Sequence, residues 1–382
     1  MSENTTTVVH DLPRDTELVS GAEARPLSFE IAAATPETRR DLRVRTIDDR
    51  LALIGSLVAA VALDWVLYDR LLPFSGVLGF VVCWYGLFLL LYAVVTGLRH
   101  GRTQVVDRVM AAVVHAAAIV VGGTLALVVV STVWQGIPAL SHLNFFTSDL
   151  SHAGPLDPLT VGGVLHAVIG TLIEVAITVV ITLPLGVLTA VFLNEVGGRL
   201  AGVVRTVVEA MTALPDVVAG LFVYIVLLVA LGFPASGFAA AVALAITMMP
   251  ITARAAEVVL RVVPGGLREA SLALGSSQWR AIWHVVLPTA RAGLATALIL
   301  GVARGIGETA PVLLTSAYTT YLNADPVSGP MVSLPFFIYE MALQPQQVQV
   351  QRAFGGATVL LVLVVLLFVA ARTLAGRRGG RR

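Results

Sequence analysis

The chain has 382 residues, of which 57% are hydrophobic and only 13% charged, and its mean hydropathy of +0.87 lies far above that of a soluble globular domain, so it reads as a membrane protein. All 25 basic residues are Arg; lacking lysine, the chain is neither a conventional P-loop ATPase nor a Schiff-base enzyme, and any ATP is handled by a partner. The single cysteine, Cys83, lies in an apolar run and permits no internal disulfide.

The first 50 residues are polar, begin MSENTTTVVHDLPRDTE and contain no apolar stretch of the kind that opens a cleavable signal peptide. They read as a solvated cytoplasmic tail, within which PETRRDLRVRTIDDR is compatible with a surface-bound helix.

A spanning helix needs about 20 mostly apolar residues. In chain order the qualifying windows are 51–68, 76–98, 110–134, 166–193, 211–232, 237–258, 289–318 and 353–374, an expectation of eight spans. The first is the weakest, being short and interrupted by Asp64. With the N-terminus inside, the cytoplasmic segments hold Arg39, Arg40, Arg99, Arg102, Arg108, Arg199, Arg205, Arg254, Arg261, Arg268, Arg280 and Arg291, among others, and the tail RTLAGRRGGRR. The external segments keep only Arg70 and Arg352. The positive-inside rule then puts both termini in the cytoplasm.

After the sixth window comes a loop too polar for lipid, REASLALGSSQWRAIWHVVLP, residues 268–288. Pro264-Gly265-Gly266 stops one helix and starts another, REASLALG reads as a short helix ended by Gly275, and SSQWRAIWHVV reads as a second one starting at Ser276 or Ser277. Two short helices joined at a glycine form a cytoplasmic protrusion that a soluble partner can grip.

Among the ionisable residues set in apolar windows four stand out: Glu174, Asp216, Arg304 and Glu308. Each costs about 2.5–3.5 kcal/mol to insert and so marks a candidate functional site. Arg304 and Glu308 are four residues apart, on one face of a continuous helix, and Arg304 is the one cation expected at depth. Its planar fork of donors suits phosphate oxygens, and Glu308 tempers the attraction so that an anion can leave again. The competing reading is a permanent structural ion pair. Gly301, Gly305 and Gly307 on the same helix read as close-packing positions, and Pro311 as a kink in its outer half. Asp216 reads as wetted or as a helix cap beside Pro215, and Glu174 as a hydrogen-bonded core residue. His142, Asp149, His152 and Asp157 share one external loop, but their spacing matches no metal-ligand pattern.

The loop also carries a resemblance. Glu269-Ala270-Ser271, Gly275, Val285 and Leu287-Pro288 are similar to the EAA motif of ABC importer permeases, with Ser271 for Ala and Val285 for Ile as mild departures. Around it FFT (145–147), LPLGVLTAVFLNE (183–195), GLFVY (220–224), GVARGIGETAPVLLT (301–315) and SLPFFIY (333–339) resemble, in order, the PstA-type permeases of phosphate importers, over about residues 110–375. The resemblance implies an all-α polytopic membrane helix bundle: a six-helix permease core over 110–375, two additional N-terminal transmembrane helices with a connector over 51–109, the polar tail 1–50 and an Arg/Gly-rich tail 376–382. It implies that Glu269, Ala270, Leu274, Gly275, Leu287 and Pro288 couple to an ATPase, and that Arg304, Glu308 and Thr309 line the substrate pathway. The partners implied are a PstC-like sister permease, a PstB-like ATPase dimer, a PstS-like phosphate-binding protein docking on the external loop, inorganic phosphate and the lipid bilayer, with no nucleic acid. ATP and Mg belong to the ATPase, and the chain itself needs no cofactor or metal. Other readings are a permease for another oxyanion such as sulfate or molybdate, a PstC-type sister subunit, or a membrane enzyme or sensor. The last pair lacks, respectively, a clustered nucleophile, base or metal set and a soluble signalling domain.

Overall fold

The computed structural model describes residues 47–71, 76–99 and 101–377, so the expected N-terminal tail up to residue 46 and the end of the C-terminal tail lie outside the described residues. All regular elements among the described residues are helical. The chain divides into two compact units, with the boundary after Ala116.

In the first unit α1 (Ile47–Trp65) runs on through a π-helical turn to Leu71, followed by α2 (Val77–Gly97) and the first turns of α3 (Arg102–Leu140). Ala60 packs with Phe88 and Tyr92, whose rings stack at 5.8 Å, and with Val109 and Ala112 of α3. Asp64 does not interrupt α1: the helix continues past it while its side chain, 1% exposed, is buried.

The second unit adds α4 (Asn144–Thr147), α5 (Leu165–Val191), α6 (Arg199–Ala213), α7 (Asp216–Val223), α8 (Gly237–Arg261), α9 (Gly265–Ala273), α10 (Gln278–Ala281), α11 (Leu287–Gly305), α12 (Ala310–Thr315), α13 (Leu334–Ala342) and α14 (Gln347–Arg377). Its centre is the pairing of α5 with α8. Lipid tails are as apolar as a leucine face, so helices in a membrane associate through close backbone approach rather than hydrophobic burial. These two helices supply the small residues for it. Ala239, Ala240, Ala241 and Ala243 of α8 are fully buried, and a Cβ on Gly186 of α5 would meet Thr252. Thr178 Oγ1 donates both to Glu174 O in its own helix (2.7 Å) and across to Ala241 O (3.2 Å).

Among the described residues seven helices are long and apolar enough to cross a membrane, or eight if one bent pair counts as a single span. That pair corrects the expectation of a straight helix over 211–232. The chain instead forms α6 up to Ala213 and, after Leu214-Pro215, α7 with a π-helical continuation to Ala230, the two pieces meeting at 103°. Proline cannot donate and disfavours helical backbone at the residue before it, and Leu214 is extended with ψ of 133°.

The window 289–318 is corrected likewise. α11 ends at Gly305, residues 306–309 leave the helix, and α12 starts at Ala310 with Pro311 in its first turn, where a missing N–H costs nothing. Pro311 therefore begins a helix rather than kinking one. The second short helix of the polar loop is not separate either. From Gln278 the chain stays helical through a π-helical turn (Ile282–Val286) and Leu287-Pro288 to Gly305, 28 residues in all.

Candidate functional site

The polar loop is anchored at one end and bare at the other. Arg268 Nη2 lies 2.5 Å from Glu195 Oε1, and Gln278 Nε2 donates to Glu195 O at 2.5 Å, tying α9 and α10 to the π-helical turn Phe192–Val196 that follows α5. Between them Gly275 turns the chain at φ +84° with no atom near enough to crowd a Cβ, so the conformation and not the space calls for glycine there. Ser271, the departure from the expected motif, donates or accepts a 2.7 Å hydrogen bond with Ser276 Oγ, while Ser276 Oγ also donates to Ser271 O at 2.7 Å. The Ser271 hydroxyl thus adds one tie to a turn that Ser276 already closes on the Ser271 carbonyl. Glu269, Ala270 and Pro288 are exposed, Leu287 is half-buried, and Leu272, Leu274, Trp279 and Trp283 leave large apolar surfaces uncovered, Leu274 at 89%. Clustered apolar exposure on a polar protrusion marks an interaction surface.

The two helix breaks meet at the interior charges. Arg304 occupies the last turn of α11, where carbonyl dipoles favour a cation, and Asp216 the first turn of α7, where N–H groups favour an anion. Arg304 Nη2 lies 3.4 Å from Asp216 Oδ2 and 3.4 Å from Glu308 Oε1. Charge-assisted N–H···O bonds normally close to about 2.7–2.9 Å, so both carboxylates hold the guanidinium loosely. Arg304 and Glu308 do meet, but through the turn Gly305–Gly307, in which Gly307 N donates to Arg304 O and Glu308 N to Gly305 O, and not along a continuous helical face. Asp216, expected to be wetted or a cap, is the second partner. A cavity of about 460 Å³ opens on this cluster, lined by Asp216, Arg304, Thr212, Thr247, Ile251 and Leu300 among others. Arg304 is half exposed and able to accept a ligand.

Glycines set the position of this cluster. Gly301 and Gly305 of α11 lie against Thr252 and Met248 of α8, and Gly220 of α7 lies against the backbone of Pro311. A Cβ on Gly307 would meet only Arg304 O of its own turn, so the close helix approach expected of the three glycines occurs at Gly301 and Gly305.

The other sequence candidates fall elsewhere. Thr309 lines a separate groove of about 620 Å³ with Val128, Gly307, Pro335 and Tyr339, not the Arg304 cavity. Glu174 is fully buried, as expected of a core residue, and the buried Ser333 is the polar side chain set against its carboxylate. The expected external cation Arg352 is itself enclosed by protein. Arg352 is 1% exposed and donates from α14 to Asp157 O, Pro158 O and Val161 O at 2.8–3.3 Å, pinning the segment before α5. In that segment Asp149 accepts from Ser151 Oγ (2.6 Å) and Leu322 N (3.0 Å), and Asp157 from Gly154 N (2.8 Å). The Ser151 hydroxyl in particular holds the Asp149 carboxyl below the ordinary carboxylate range. These acids build turns, and no group of three metal-ligating side chains occurs among the described residues. Sequence reasoning missed the Asp216–Arg304 contact and the Arg352 anchor; the Leu-Pro before Asp216 was the available signal for the first.

A multi-helix membrane bundle, a bare protruding loop with the spacing of a coupling motif, and a charged cluster at paired helix breaks define a membrane transport component. The chain belongs to the binding-protein-dependent transport system inner membrane component family, whose profile matches residues 182–379. It is 40% identical over 248 residues to the phosphate transport system permease protein PstA 1 of Mycobacterium tuberculosis (strain H37Rv), covering 64% of this chain and 80% of that one. To the phosphate transport system permease protein PstA of Pasteurella multocida (strain Pm70) it is 37% identical over 240 residues, covering 62% and 83%. The resemblance to PstA-type permeases is thus borne out. Among solved structures, an inward-facing form of the MetNI methionine ABC transporter is 24% identical with a TM-score of 0.43, covering 58% of this chain and 95% of that one.

Proposed function

We propose that this chain is a permease subunit of an ATP-driven importer of inorganic phosphate. The observation that carries the reading is Arg304, held at 3.4 Å by each of two carboxylates on the wall of a cavity where two broken helices meet. Broken helices put unpaired N–H groups and helix dipoles at mid-membrane, which is how transporters make ion sites. A phosphate entering the cavity takes the guanidinium from Asp216 and Glu308, and their repulsion releases it again, so binding stays favourable yet transient. The geometry alone suits any tetrahedral oxyanion; the named relatives favour phosphate over sulfate or molybdate.

In this reading the chain is not itself an enzyme. It pairs with a PstC-like sister permease, receives phosphate from a PstS-like binding protein, and docks a PstB-like ATPase dimer, which holds ATP and Mg, through Glu269, Ala270, Leu274, Gly275, Leu287 and Pro288. Both termini and the 268–288 loop lie in the cytoplasm of a multi-pass cell membrane protein, as the arginine distribution requires.

The test is phosphate uptake normalised to assembled complex. Arg304→Gln should abolish uptake with assembly retained, while Asp216→Asn and Glu308→Gln, which free the cation, should tighten apparent affinity and slow release. A structural ion cluster predicts lower yield in the single variants and recovered transport in the neutral triple variant Asp216→Asn/Arg304→Gln/Glu308→Gln; that recovery would defeat the substrate role.

A further inference from the structure

Where α1 begins, α2 ends and α3 enters its second to fourth turns, the first unit holds a cavity of about 380 Å³. The transport reading assigns it no occupant, and all its lining residues precede Ala117. Its polar groups are graded along the helix axis. At one end Arg108 Nη2 lies 2.7 Å from Asp49 Oδ1, with Arg50 alongside on α1, so among the described lining residues two guanidinium groups stand with one carboxylate. Seven residues further along α3, about 10 Å at helical rise, stands His115, whose Nδ1 is 2.6 Å from Ala111 O, so Nε2 is the ring nitrogen presented outward. The remaining wall is apolar: Leu53 and Ile54 of α1, Ala111 and Ala112 of α3, with the buried Tyr92 ring behind them.

This gradient lies at the ends of three helices that are each apolar and long enough to cross a membrane. A soluble anion would use only the guanidinium end. A hydrocarbon chain alone would leave the two arginines unanswered. One molecule matches the whole profile: a phosphodiester at one end, ester oxygens below it and acyl chains beyond. We propose that this cavity is a binding site for an anionic glycerophospholipid, with its phosphate on Arg50 and Arg108, its glycerol ester region beside His115, and an acyl chain against Leu53, Ile54, Ala111 and Ala112. Asp49 orients Arg108 while occupying only part of its five-donor fork. The surplus cation selects against headgroups that carry their own positive charge, as basic pockets between membrane helices do for anionic lipids.

The test uses the purified full-length chain in mild detergent, offered phosphatidylglycerol or phosphatidylcholine of equal chain length, with retained lipid counted by native mass spectrometry. Phosphatidylglycerol should be retained in preference, at one molecule per chain, and neither inorganic phosphate nor glycerol 3-phosphate should displace it. Arg50→Gln/Arg108→Gln should weaken retention about tenfold or more, from two cations at a membrane surface. Asp49→Asn, which removes the carboxylate paired with Arg108, should strengthen it. Should the double variant fail to fold, Leu53→Trp keeps both cations and fills the acyl wall, and it should block retention. Equal retention of the two lipids, unchanged retention in a folded double variant or in Leu53→Trp, or displacement by a soluble phosphate would each overturn the site.

Discussion

Gly220 and Gly305 both make room for a neighbouring helix, but what fills the room differs. A Cβ on Gly220 would lie 2.6 Å from Pro311 Cα, part of a backbone that cannot turn aside, whereas one on Gly305 would meet the flexible side chain of Met248. Overpacking costs about 1–3 kcal/mol where neighbours cannot yield. Gly220→Ala should therefore lower the melting temperature of the detergent-purified protein clearly, and Gly305→Ala much less, with Met248→Ala rescuing the second and not the first. Equal losses would mean that the contact at Pro311 is softer than its geometry implies. The Arg304 cluster follows the same logic of neighbours. Its Glu308 partner was legible from a four-residue spacing, although a turn and not a helix closes it, whereas its Asp216 partner comes from 88 residues away, and the Leu-Pro before it marks a helix break without saying what meets it there.

The loop 268–288 is the element in which sequence pattern and structure agree most closely. Pro264 starts α9 and Gly275 ends it because a proline needs no donor in a first turn and a glycine accepts φ +84° without a Cβ clash. The second half departed from expectation because Leu287-Pro288 resembles a helix boundary. A π-helical turn over Ile282–Val286 immediately precedes it, so the donor that Pro288 lacks falls where the regular ladder is already interrupted. If this loop carries the ATPase, Gly275→Leu should abolish its co-purification, since a side chain in left-handed backbone costs about 1–2 kcal/mol and reshapes the exposed turn. Arg268→Gln, which only cuts the tie to Glu195, should keep the ATPase bound but lower its stimulation by phosphate-loaded binding protein. Undiminished recovery with Gly275→Leu would remove the coupling assignment.

At the scale of the whole chain, the arginine distribution predicts that the segment around Ser151 and the tip of the loop at Leu274 lie on opposite sides of the membrane. In a Cys83→Ser background, Ser151→Cys should react with an impermeant thiol reagent from outside and Leu274→Cys only after the cells are opened; both residues are exposed, so access is not limited by burial. Labelling of both from the same side would break the topology.

What the sequence by itself determined is everything that depends on local composition and short spacing: an all-helical membrane bundle, a polar protruding loop, interior charges marked by their cost in lipid, and the family those motifs resemble. The tertiary structure decided where helices break and which charges meet. In lipid every helix is apolar, so no alternation of polar and apolar residues reports which face packs on which. The pairing of α5 with α8, the bend of 103° at Leu214-Pro215, and the convergence of Asp216 on Arg304 arise from close contacts between residues tens of positions apart, and those contacts exist only once the bundle has assembled.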